Sequence, residues 1–190
     1  MSAARPRVVT REALPALTRF AEGLRHLSWF AAVGQELTTD ERREAEDYLR
    51  ALGIEAGIVA AADWREAERV TRDSQWSRAW WDEEERLRAA LLAAATEIHG
   101  EHALMTALSR VTLDASDVVL GAASIAASRS LVADPALARV AAGAATQAAY
   151  QAGLALAAAA GDMHPFAIKF RLFAAGRWPL GLVGTTFHLF

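Results

Sequence analysis

Four side chains able to ligate a metal ion, Glu97, His99, Glu101 and His102, fall in the run Glu97-Ile-His-Gly-Glu-His102. On a helix, Glu97 and Glu101 share one face and His99 and His102 share another. Carboxylates spaced in this way bridge paired metals in helical bundles. The glutamate pair and His99 point roughly 160° apart at helical spacing, so one helix cannot converge all four groups. Further ligands would have to come from His26, Asp63, Asp117 or His164. Neither the Glu-x-x-His spacing of di-iron bundles nor His-Glu-x-x-His is present. The pattern favours an ordinary solvated helix end around Gly100. The alternative is a divalent-metal centre built on Glu97, Glu101, His102 and His26.

Three other groups of residues could carry chemistry. Trp76, Trp80 and Trp81 lie among Arg72, Arg78 and Arg88, and could stack a planar ligand or hold a partner by cation–π contact. Trp76 and Trp80 fall on a core seam, which leaves Trp81 as the exposed one. Thr146, Gln147, Tyr150 and Gln151 form a polar arc on an otherwise apolar helix. That arc either faces water or, with Asp117, Ser124 and Ser128 nearby, lines a polar pocket. The C-terminal stretch holds Arg177, Trp178, Phe187 and Phe190 and is too apolar for a free tail. It reads as a segment docked on the bundle whose apolar residues also suit an interface, with Arg177 free to pair or stack.

The elements that must position these groups are helical. Leu17, Phe20, Leu24, Leu27 and Ala31 form one stripe of a helix ending near Gly34. Thr38 to Leu52 has a cap and a terminal glycine, and Ala60 to Arg72 reads as a short helix. Asp73-Ser74 can cap a helix from about Gln75 to Ile98, with Trp76, Trp80, Leu87, Leu91, Ala94 and Ile98 as its buried seam. Gly100 breaks or bends it, and Glu101 to Val111 continues it. Asp114 and Asp117 mark a new start into Val118 to Leu131. Asp134-Pro135 opens a helix to Ala160. Those last two helices are apolar most of the way round and rich in alanine, which predicts a tightly packed central pair. Phe166 to Ala175 is a short helix with Phe166, Phe170 and Phe173 on one face. Residues 177–190 are non-helical, an extended segment or a small hairpin around Gly184.

The expectation is therefore an all-α, single-domain bundle of about six to seven helices over residues 1–190, with 1–12 a frayed tail. The chain has no cysteine, which excludes disulfides, thiolate metal sites and Cys nucleophiles. A net charge of −3 provides no field for nucleic acid or an anionic membrane. Lys169 is the sole lysine among 20 basic residues, a bias of the kind a GC-rich bacterial genome leaves. No secretory leader or membrane span is legible, the most apolar window, 136–160, being mostly alanine. Phosphate loops and nucleophile elbows are absent. These features imply a cytoplasmic, non-catalytic helical protein without a cofactor. It would act through protein–protein contacts as a homodimer, adaptor or neutraliser. The alternative is a helical-bundle metalloenzyme or small-molecule-binding protein.

Overall fold

A computed structural model describes residues 14–129 and 134–190; the expected tail, 1–12, lies outside them. In chain order the described residues form α1 (Pro15–Gly23), α2 (Thr39–Ala51), β1 (Gly57–Ala60), α3 (Trp64–Thr71), α4 (Arg78–His99), α5 (Glu101–Arg129), α6 (Pro135–Ala157), α7 (Pro165–Ala174), β2 (Pro179–Val183) and β3 (Thr186–Leu189). A short 3-10 turn, Leu24–His26, follows α1. The fold is mainly α-helical, with a small sheet packed on it.

Most helices start where a side chain satisfies the first free N–H groups. Thr38 and Glu41 close a reciprocal capping box on α2. Asp63, Ser77 and Asp134 cap α3, α4 and α6. On α7 the cap is His164, whose Nδ1 accepts from the Phe166 amide at 3.2 Å. Ser77, rather than Asp73 or Ser74, starts α4, because Trp76 is held outside the helix in a bridge to Val183.

Helix α6 occupies the centre, in contact with α1, α4, α5 and α7. Thirteen of its residues are buried, nine of them alanine. Its neighbours approach closely in consequence: a Cβ built on Gly153 would touch Leu17, Leu108 and Val111 at 3.4–3.5 Å. Its expected partner differs from the sequence reading. Residues 101–129 form one unbroken helix, because Asp114 binds Arg110 of the preceding turn at 2.8 Å instead of capping a new start. Only one face of α5, from Leu104 through Leu108, Val111, Ala115 and Val119 to Ala123, is buried. Met105, Leu113, Leu120 and Ile125 stand exposed on the rest. By length and composition α5 is also apolar enough to cross a membrane, which the sequence reading placed in no segment.

Two further expectations shift. The first stripe does not make one helix to Gly34: α1 stops at Gly23, and Trp29 and Phe30 turn back into the core. On α4 the buried line is Trp80, Glu84, Leu91, Ala95 and His99, while Ile98 is exposed. The interior admits Glu84 because both its oxygens are paired there, and His99 because its Nε2 finds a backbone acceptor. Residues 57–60, taken in part into a helix, are instead a strand. The sheet order is β1-β3-β2, with β1 parallel and β2 antiparallel to β3. The C-terminal hairpin thus turns at Gly184 and closes a second core with α2 and α7, containing Tyr48, Leu49, Trp80, Ile168, Leu172, Phe187 and Leu189.

Candidate functional site

Glu84 is buried on α4 and would be destabilised there without a counter-charge. The chain's one lysine supplies it. Lys169 of α7 donates to Glu84 Oε1 at 2.7 Å and Oε2 at 2.9 Å, and lies 3.4 Å from Gln151 Oε1 of α6. Tyr48 of α2 donates to Glu84 Oε1 at 2.5 Å and accepts from the Trp80 indole N–H at 2.8 Å. The Lys169 ammonium also sits 5.5 Å from the centre of the Trp80 ring, within cation–π reach. Burial, and then the charge and hydrogen bond of Glu84, push the Tyr48 phenol well above its ordinary value. It therefore stays protonated and serves as a donor. Glu84, Gln151 and Lys169 are 5%, 4% and 8% exposed.

Glu84, Gln151 and Lys169 of this network form the floor of a cleft of about 750 Å³ between α4, α6, α7 and β2, with Tyr48 behind them. Trp76, Trp80, Trp81 and Trp178 contribute to its walls, with Val140, Ala144, Pro179 and Leu180 completing the apolar lining. Trp76 and Trp80 lie 6.0 Å apart at 31°. They fit against β2 only because Gly181 has no side chain: its φ is +129°, and a Cβ there would come within 2.2 Å of Trp76. Trp81, 63% exposed, stands at the mouth beside Arg78 and Asp82. The volume and the mix of apolar wall with few polar groups match sites that hold small organic molecules.

The residues singled out from sequence divide sharply. From the polar arc, Gln147 and Gln151 line the cleft. Thr146 and Tyr150 are half-buried without lining it, and Asp117 is exposed on α5. Trp81 is exposed as expected. Arg177, Trp178, Phe187 and Phe190 offer no free surface, each being at most 2% exposed in the chain's own core. Arg177 grips both oxygens of Glu41 and the backbone oxygens of Ala32, Gln35 and Glu36. Trp178 lines the cleft, while Phe190 packs edge-on against Trp64.

The geometry of the described residues lends the metal reading no support. Among the described residues no three His, Asp or Glu side chains converge. Glu97, Glu101, His102 and His26 are all exposed. His99 turns inward and donates through Nε2 to the Ala157 carbonyl at 2.8 Å. Gly100, at φ +77°, ends α4 and redirects the chain, so Glu97 and Glu101 lie on different helices.

Sequence reasoning missed Lys169 and Glu84. A lone lysine among nineteen arginines, on a helix otherwise lined with phenylalanine, was the one available signal. Glu84 was hidden within an acidic run. No protein-family model, curated protein or solved structure matches this chain.

Proposed function

We propose that the protein binds a planar, largely apolar small molecule in the tryptophan-walled cleft, in a cytoplasmic setting. The observation that carries this reading is the buried Glu84–Lys169 pair at the base of an open aromatic cleft. A buried ion pair is a weak source of stability, since apolar residues of similar size do as well. Trp76 and Trp81, the tryptophans at this opening that keep exposed area, supply stacking surface that core packing alone does not require. The groups present suit binding and orientation of a ligand.

The test uses the neutral dye N-phenyl-1-naphthylamine, whose fluorescence rises in apolar clefts. Ala144→Phe puts a ring into the opening. It should suppress dye binding while leaving the helical circular dichroism and melting transition unchanged. Equal dye binding by the variant and the parent would place the dye elsewhere and remove the support for the cleft.

The outer face of α5 favours a second reading, self-association. Met105, Leu113 and Leu120 are exposed there, with Ser109 and Ser116 between them at heptad-like spacing and no charge in the stripe. A two-fold axis near Ser116 would set Leu113 of one copy against Leu120 of another. Sedimentation should then report a dimer that Leu113→Glu converts to monomer. A parent that is monomeric at all concentrations excludes this reading.

A further inference from the structure

We infer that the ligand enters the cleft through an uncharged lactam edge, an adjacent N–H and C=O on a planar heteroaromatic ring. This rests on the reading of the cleft as a ligand site. It follows from which hydrogen-bonding positions at the floor are taken and which are open.

An ammonium group only donates, so the Gln151 atom facing Lys169 is the oxygen. Its amide nitrogen then has no hydrogen-bond partner among the described residues, in a side chain that lines the cleft. On the opposite side of Lys169, Glu84 Oε1 accepts two bonds, from Tyr48 and Lys169, while Oε2 accepts only from Lys169. A carboxylate oxygen has room for one more. Lys169 meanwhile has both Glu84 oxygens and the Gln151 oxygen as acceptors. The floor thus presents one open donor and one open acceptor, flanking a satisfied ammonium. A ring N–H opposite Glu84 Oε2 and a ring carbonyl opposite the Gln151 amide would complete both.

Charge decides against an ionic ligand group. Glu84 and Lys169 cancel one another at the floor, and Arg78, the other cation lining the cleft, stands exposed at the mouth beside Asp82, so a carboxylate reaching the floor would be desolvated without a free cation to meet it. An entering ammonium would likewise find Glu84 already neutralised. The tryptophan walls select flatness, since indole faces offer stacking area along a plane.

Calorimetric titration of the full chain with four bicyclic probes tests this: 2-quinolinone, its N-methyl derivative, naphthalene and 2-naphthoate. A site built for paired hydrogen bonds rejects analogues that lack them. 2-Quinolinone should therefore bind about tenfold tighter than each of the other three, roughly the effect of one buried polar group left unpaired. Gln151→Leu should erase the preference for 2-quinolinone over its N-methyl derivative. Equal affinity for 2-quinolinone and its N-methyl derivative overturns the inference and leaves the cleft standing as a non-selective apolar site. Tightest binding of 2-naphthoate overturns it in favour of an anionic ligand. If no probe binds more tightly than about 1 mM, the cleft reading falls and the inference with it.

Discussion

Lys169 and Glu84 make the sharpest claim at the level of single residues. Lys169→Met would strand Glu84 in the interior, and breaking a buried pair in this way costs about 3–5 kcal/mol. Adding Glu84→Leu should recover most of that loss in urea unfolding. A single variant that loses under about 1 kcal/mol would show the pair to be as weak as a solvated one. Tyr48 adds a pH dependence. Its folded-state value is raised, so the folded chain keeps the phenolic proton to higher pH than the unfolded chain does. Stability from this group is complete below the unfolded value of about 10 and declines as pH rises from there through the folded value. Tyr48→Phe should flatten that alkaline decline in thermal melts, even though it leaves the Trp80 N–H without its acceptor. A decline that persists unchanged in the variant would assign it to other groups.

Among the elements, the junction between α4 and α5 was open in the sequence. Glycine in a helical pattern is compatible with either a break or a continuous helix. Gly100 adopts φ +77° and ψ +146°, a region that glycine alone tolerates readily. Gly100→Ala should therefore destabilise by about 1–3 kcal/mol through backbone strain, although a Cβ there would meet nothing within 4 Å. Chemical denaturation reads this directly. A neutral or stabilising result would mean that the junction can relax into a continuous helix. The caps at Thr38 and Asp134, and Pro135 at the first turn of α6, were legible because a cap is a local bargain between a side chain and nearby amides. The seam of α4 was not. Its phase depends on whether Glu84 and His99 find partners on α7 and at the end of α6, far along the chain.

Taken as a whole molecule, the protein is closed by its C-terminal hairpin. Strand β3 lies between β1 and β2, and Phe187, Leu189 and Phe190 are buried. Arg177 ties the approach to this hairpin onto the loop before α2, and Glu41, which also caps α2, receives it. Removing Leu182 to Phe190 should abolish the cooperative thermal transition seen by circular dichroism, since central strands and core aromatics are lost together. A truncated chain that melts cooperatively would mean that the hairpin is an appendage whose apolar residues are free for another role.

Helical class, the alanine-rich α6, the caps and the turn at Gly184 could be read from the sequence because periodicity, capping and turn chemistry act over a few residues. So could the candidacy of Gln147, Gln151, Trp76 and Trp80, as polar or planar side chains that called for an explanation. Only the tertiary structure decided which of them share a site. It brought Tyr48, Glu84, Gln151 and Lys169 together from four helices, buried Arg177 and Trp178, and dispersed Glu97, Glu101 and His102. The physical reason is that burial and charge pairing depend on contacts between residues as much as 145 positions apart, which no local pattern encodes.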